Sequence, residues 1–246
     1  MKILALDTAT EACSAALLVE GRLIARETEF ERGHAEHILP MIEAVLAEGG
    51  TALAAVDAVA FGRGPGGFTG VRLAASVTQG LAFAAARPVV PISDLAAVAQ
   101  RALDLAPQIG RVVVCNDARM QEVYWACFER DGQGFATRVG AEHVSPPESV
   151  RLHPEWLSDA RATAIGAVGR GFRAYPPLRA KLLSANPREP GGGPAVHLIS
   201  DELLPRAHEI ARLAMREAAA GRLVRPEEAI PVYLRDDVAR PKSPQT

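Results

Sequence analysis

The sequence predicts an α/β protein with two lobes, each holding a mixed β-sheet flanked by helices. Two observations carry this. The chain opens with three apolar runs separated by short polar turns, and later strands are joined through helices, giving the order β-β-β-α-β-α-β-α. Three strands joined directly, followed by strands joined through helices, imply a mixed sheet with covered faces. A second strand-turn-strand unit then opens at Arg111, so the architecture repeats. At 246 residues the chain is long enough for one large domain or two small ones with a sizeable core. With 48% apolar and 23% charged residues, its balance is that of an ordinary globular protein.

Lys2–Leu6 is a short apolar run of the kind that forms a buried strand. Ala15–Val19 and Leu23–Glu27 follow, joined by Glu20-Gly21-Arg22, where the glycine permits a tight hairpin. From about Ala35, residues Ile38, Ile42, Val45 and Leu46 fall on one helical face, and Gly49-Gly50 ends that helix. Val56–Phe61 and Pro88–Ile92 read as the next strands. Between them, a glycine-rich loop leads into a helix over about Thr69–Ala86 in which Ala74, Ala75, Gly80, Ala82, Ala84, Ala85 and Ala86 leave little side chain. Such a helix can approach another backbone closely; burial within its own domain is the plainer reading. A helix over Asp94–Leu105 closes the first lobe, 1–106.

The second lobe, 111–238, begins with strands at Arg111–Asn116, Glu122–Glu129 and Gly134–Val139. Beyond residue 140 the chain is rich in Pro and Gly, with a flexible loop expected at Pro190–Pro194. One good helix is expected there, at about Leu204–Ala220, and the polar tail 239–246 is expected to be disordered.

With 27 basic and 29 acidic residues the formal charge is −2, so there is no global field to hold a polyanion. Any contact with RNA is therefore expected to be carried mainly by a partner. Cys13, Cys115 and Cys127 are odd in number and lack metal-ligand spacing, which fits reduced, packed thiols in a cytoplasmic protein. The opening apolar run is interrupted by Asp7, and no stretch reaches membrane-spanning length.

Four segments are candidates for chemistry. Asp7-Thr8-Ala9-Thr10, after the first strand, could place Asp7, Thr8 and Thr10 beside a nucleotide, with an acidic group near a cation and hairpin amides on phosphate. The same residues equally shape an ordinary turn. In Gly62–Gly70 the glycines allow backbone amides to approach an anion at a helix start. That loop lacks the Gly-Lys-Ser/Thr of a Walker A motif and the acidic residue of a dinucleotide fingerprint, so a tight strand-to-helix connection is preferred. His34-Ala35-Glu36-His37 has two histidines at i and i+3 but no third ligand nearby and no HExxH, so a solvated helix start is preferred. Asp117-Ala118-Arg119 stands where a second phosphate hairpin would lie; it lacks glycines and carries an arginine that can plug the site.

The segments ILALDTATEACSAALL, RGHAEHILPMIEAVL, DAVAFGRGPGGFTGVRLAASVTQGLAFA, VVPISDLAAVA, DARMQEVYWACF and PVYLRDDVA occur in this order over nearly the whole chain. Together they resemble the TsaB family, the dimerisation subunit of the bacterial machinery that places threonylcarbamoyl on the adenosine beside the anticodon of certain tRNAs. GPGGFTGVRLA is the most specific match. The resemblance implies a two-lobed actin-like, sugar-kinase-like fold. It implies as partners the catalytic paralogue TsaD and the ATPase TsaE, a homodimer when the chain is alone, tRNA only through the complex, and no membrane. It also implies a subunit contact on the first lobe's helices, here through His34, Ile38, Met41, Phe68, Arg72, Ala75 and Gln79.

The catalytic paralogue carries an HxxxH metal pair after the strand that follows the small-residue helix. Here Asp94 and Val98 stand at those positions, and valine cannot ligate a metal. The expected role is thus a non-catalytic subunit with no catalytic residue, no metal and no cofactor, with weak nucleotide binding near Asp7 left open. The alternatives are an independent actin-like ATPase or small-molecule kinase, which needs Asp7 to organise magnesium, and a metallopeptidase, disfavoured by the missing histidines.

Overall fold

In the computed structural model, residues 1–30, 32–158, 164–183 and 194–235 are described. Strands β1 (Ile3–Asp7), β2 (Ala12–Val19) and β3 (Arg22–Glu29) form an antiparallel meander. Strands β4 (Ala58–Gly62) and β5 (Val89–Ile92) then add in parallel beside β1, giving the order β3-β2-β1-β4-β5. The second sheet repeats this plan. Strands β6 (Arg111–Asp117), β7 (Val123–Arg130) and β8 (Ala136–Ser145) form the meander, β9 (Ile165–Val168) and β10 (Val196–Ser200) run parallel to β6, and the order is β10-β9-β6-β7-β8. This duplicated pair of mixed sheets is the actin-like architecture.

Helices α1 (His34–Glu48) and α2 (Phe68–Ala85) lie side by side on the outer face of the first sheet. The apolar phase of α1 sends Ile38, Ile42 and Val45 onto Leu4, Leu17 and Phe61, and the helix continues through an exposed Pro40. Helices α4 (Pro154–Ser158), α5 (Gly171–Ala174) and α6 (Pro176–Leu183) cover the outer face of the second sheet, where Trp156, Phe172, Leu178 and Leu182 meet Val113, Cys115 and Ile165.

The inner layer crosses the boundary that chain order suggests. Helix α3 (Asp94–Leu105) belongs to residues 1–106 but packs Leu95, Val98, Ala99 and Leu103 on Val112, Val114 and Phe128 of the second sheet. Helix α7 (Ala207–Ala219), from residues 111–238, packs Ala207, Ile210, Ala211 and Ala214 on Ile3, Ala5, Ala16 and Ala60 of the first. Each half therefore lends a helix to the other's sheet, and α3 and α7 touch in the middle.

The first half follows the sequence reading to within a few residues, with β2 starting at Ala12 rather than Ala15. The one good helix expected beyond residue 140 is α7, and β9, β10, α4, α5 and α6 form there besides it. These stretches have only four to eight residues, between prolines and glycines, too few to display a period. The tail expected at 239–246 and most of Pro190–Pro194 lie outside the described residues. No helix among the described residues is long and apolar enough to cross a membrane.

Candidate functional site

Two regions gather the residues that the sequence singles out. The first is a cleft of about 1230 Å³ between the lobes, walled by Thr8–Glu11 of the β1–β2 hairpin, the start of α2, the Asn116–Arg119 turn and Arg170. The side chains expected to face a nucleotide are committed elsewhere. Asp7 is 0% exposed; its Oδ1 accepts from the Ala9 amide at 2.9 Å, and its carboxyl lies beside that of Asp94 around Gly62. Thr8 Oγ1 donates to the Gly70 carbonyl at 2.7 Å, and Thr10 Oγ1 accepts from the Ala12 amide at 3.2 Å. The turn uses the Asp7, Thr8 and Thr10 side chains to hold its own shape.

Burial pushes the Asp7 carboxyl up to about 7, against the amides of Ala9 and Thr8 and the neighbouring Asp94 side chain, which pull the other way. Burial, and then the Asp7 charge, also raise Asp94 well above the usual carboxylate range. Asp7 Oδ2 and Asp94 Oδ1 are buried without a hydrogen-bond partner among the described residues, a setting that favours the neutral form of a carboxyl. Asp94 Oδ2 accepts from the Gly64 amide at 2.5 Å, which ties the pair to the glycine loop.

The glycines of GPGGFTG serve close approach between backbones. A Cβ on Gly70 would stand 2.0 Å from the Thr8 carbonyl oxygen, and one on Gly66 would stand 2.5 Å from that of Ala9. The Gly67 amide donates to the Ala9 carbonyl at 2.7 Å. The loop thus presses the start of α2 against the first hairpin. His34 and His37 hold no common ligand: His34 Nε2 lies 2.9 Å from the Thr10 carbonyl, and His37 stacks on Phe30 with centroids 4.3 Å apart. Among the described residues no group of three or more His, Cys, Asp or Glu could hold a metal ion. All three cysteines are free and buried.

The second region is the outward face of α1 and α2. Phe68 is 52% exposed, with the Arg72 guanidinium 3.5 Å from its ring centroid. Arg72 Nε donates to the Tyr233 hydroxyl at 2.8 Å, and Gln79 Nε2 donates to the Ala229 carbonyl at 3.1 Å. Residues 224–235 therefore form a strap along α2, begun by the Val224–Val89 bridge and ended by Arg235 on Glu122. His34 and Met41 are half-buried at the edge of the face.

Of the residues expected at the subunit contact, Ile38 and Ala75 are buried in the core beneath their helices. Leu39, Ser76, Gly80 and Phe83 hold the exposed positions instead; Phe83 is 80% exposed. The last three recur at i, i+4 and i+7, a helical spacing that could have found them.

The family model described as TsaD, tRNA N6-adenosine threonylcarbamoyltransferase, matches residues 28–172, more than half of the chain. The Escherichia coli K12 tRNA threonylcarbamoyladenosine biosynthesis protein TsaB is 41% identical over 244 residues, covering 99% of both chains. The chain belongs to the TsaB family. The Haemophilus influenzae TsaB protein is 39% identical, over 99% of this chain and 98% of its own length. Among solved structures, YeaZ from Pseudomonas aeruginosa is 45% identical with a TM-score of 0.79, over 95% of this chain and 99% of that one. A second Pseudomonas aeruginosa structure, described as an uncharacterized protein with similarity to peptidase YEAZ, is 46% identical with a TM-score of 0.81 over the same shares. In this TsaB-family chain Asp94 is fully buried beside Asp7, and Val98 is fully buried against the second sheet.

Proposed function

We propose that this chain acts in the synthesis of N6-threonylcarbamoyladenosine in tRNA as a non-catalytic subunit, holding the catalytic paralogue TsaD through the outward face of α1 and α2. The names of its full-length relatives supply the pathway. Gly80 carries the assignment of the surface. It lies within α2, on the exposed side, and a Cβ built there meets nothing within 4 Å. A glycine inside a helix weakens it by about 1 kcal/mol relative to alanine. Nothing in the packing of the described residues requires that loss, whereas a second helix laid across the face would. Leu39 on α1 and Phe83 on α2 are exposed apolar side chains that can serve as anchors.

TsaE joins the same assembly in this reading, and without TsaD the face pairs two copies of the chain. The absence of a catalytic role is supported by the internal commitment of Asp7, Thr8 and Thr10. The kinase reading needs Asp7 to face a cation, and a fully buried Asp7 beside Asp94 speaks against it.

The test is modified-nucleoside formation on tRNA in a reconstituted mixture with wild type, Gly80→Ala and Gly80→Arg. Gly80→Arg is expected to weaken the complex with TsaD more than tenfold, the equivalent of about 1.4 kcal/mol, and to lower product in step, while its melting temperature holds. Gly80→Ala is expected to melt higher, by about 1 kcal/mol of added stability. Equal product with Gly80→Arg would place the contact elsewhere, and equal product without the chain would remove the proposed role.

A further inference from the structure

The strap formed by residues 224–235 runs from an edge of the first sheet to the second lobe. It starts on β5, where Val224 and Val89 exchange backbone hydrogen bonds at 2.9 Å. It lies on α2 at Ala229, whose carbonyl accepts from Gln79, and then meets the glycine loop. There the Val232 amide donates to the Arg63 carbonyl at 2.8 Å, and a Cβ on Gly64 would stand 2.9 Å from the Val232 carbonyl oxygen. Past that point two side chains fasten the strap. The Tyr233 hydroxyl accepts from Arg72 Nε on α2, and Arg235 crosses to the turn between β6 and β7.

That turn has an uncommon backbone. Arg119, Met120 and Gln121 have φ of 60°, 53° and 62°, three successive left-handed residues that each carry a Cβ. Left-handed backbone is disfavoured for such residues and persists where surrounding contacts over-determine it. Within the turn, the Ala118 amide donates to the Glu122 carbonyl at 2.9 Å and the Glu122 amide to that of Arg119 at 3.0 Å. Asp117 Oδ1 accepts from the Arg119 amide at 2.8 Å. Arg235 adds the contacts from outside. Its Nη2 donates to the Ala118 carbonyl at 3.1 Å and its Nε to Glu122 Oε2 at 3.0 Å, with its side chain 15% exposed. One planar fork thus joins a carbonyl and a carboxylate of the turn, a geometry that arginine offers and lysine does not. The turn's shape is set in part by a residue 117 positions further along the chain.

We propose that the strap is a coupling element between the α2 face and the second lobe. Seated on α2, it delivers Arg235 to the turn and keeps residues 119–121 left-handed. Lifted at Tyr233, it withdraws the fork and lets the turn relax. Tyr233 is 46% exposed beside Phe68, so it is reachable from the α2 face, and only Leu234 separates it from Arg235. Such coupling is a free energy shared by two surfaces, and a double-mutant cycle measures it. The device belongs to the chain by itself and is tested without tRNA or TsaD, so that it and the subunit role can fail separately.

The measurement is amide hydrogen exchange of segment 117–123 in the full chain, read by mass spectrometry in wild type, Arg72→Ala, Arg235→Gln and the double variant. Arg72→Ala acts on the strap alone: among the described residues Arg72 bonds Tyr233 and stacks on Phe68, with no bond to the turn. Arg235→Gln is expected to speed exchange of the turn about tenfold, through loss of a charge-assisted contact. Arg72→Ala is expected to speed it at least about threefold, and the double variant no more than Arg235→Gln alone. Arg235→Lys keeps the charge and loses the fork; it is expected between wild type and Arg235→Gln, and it stands in should the latter fold poorly. Exchange that is unchanged in Arg235→Gln or in Arg72→Ala, or two effects that multiply in the double variant, overturns the proposal. Acceleration that extends to the buried amides of β6 marks general loosening and overturns it as well.

Discussion

The Asp7 carboxyl is pushed above the usual carboxylate range because its surroundings replace the water around a carboxylate only in part. Burial is the largest influence and raises its value from 3.8 to about 7, and the amides of Ala9 and Thr8 recover some of that loss. Asp94 shifts in the same direction, from burial first and Asp7 second, with Arg63 opposing and Glu142 adding to the rise. The consequence for stability has a definite sign. Below pH 3.8 the folded and unfolded chains both carry the proton. Between 3.8 and about 7 the unfolded chain releases it while the folded chain retains it, so stability falls as pH rises, and above about 7 the loss is constant. In Asp7→Asn the carbonyl can still accept from Ala9 and the amide can donate to Asp94, with no proton to lose. Urea denaturation at pH 5 and pH 8 is expected to show the variant gaining on wild type at the higher pH, by on the order of 2 kcal/mol. An identical pH dependence in both proteins would mean that burial does not raise the Asp7 carboxyl.

Helix α7 is fastened at its start by a residue far away in sequence. The Ala207 amide donates to Ser14 Oγ on β2 at 2.9 Å, while Arg206, at the N-cap position, offers no side-chain cap. Ser14 is buried, so Ser14→Ala strands an amide in an apolar site. The expected loss is about 1–2 kcal/mol in a urea titration with little change in m, and a loss below the error of the measurement would show that the helix start opens to water. This bond also marks where sequence reading stops. The five strands of the first sheet were legible because their apolar runs lie between turns with recognisable chemistry. The four residues of β9, Ile165–Val168, carry no such contrast, and no local pattern announces that α7 must cross back to a sheet built nearly two hundred residues earlier. The candidate site was legible in its location and not in its working. Thr8 and Thr10 do stand in the cleft wall, and their hydroxyls are taken up by Gly70 and Ala12, which only the tertiary contact with α2 and the hairpin geometry decide. On α1 and α2 the helices were legible, and the outward residues were not, because small residues lie on both sides of α2.

The exchange of α3 and α7 binds two sheets into one thermodynamic unit. Unfolding the first sheet strips α7 of its packing surface, and α7 touches α3, which covers the second sheet. A buried ion pair adds to the coupling: Arg63, from the glycine loop, meets Glu142 on β8 at 3.1 Å, the two side chains being 19% and 3% exposed. Arg138 approaches the same carboxylate at 3.5 Å, so Glu142 draws two cations toward the seam between the lobes. Chains of this length often unfold domain by domain, yet this arrangement predicts one calorimetric transition, with the calorimetric and van't Hoff enthalpies equal. Glu142→Gln leaves Arg63 without its charge partner. Losing one member of a buried pair costs about 3–5 kcal/mol, and partial exposure of Arg63 reduces that to about 2 kcal/mol. At about 2–4 °C per kcal/mol for a chain of this size, the single melting peak is expected to fall by about 4–8 °C while remaining single. Two resolved peaks in wild type would show the lobes to be separate folding units. A single peak in wild type that splits in Glu142→Gln would assign the coupling to the ion pair rather than to the exchanged helices.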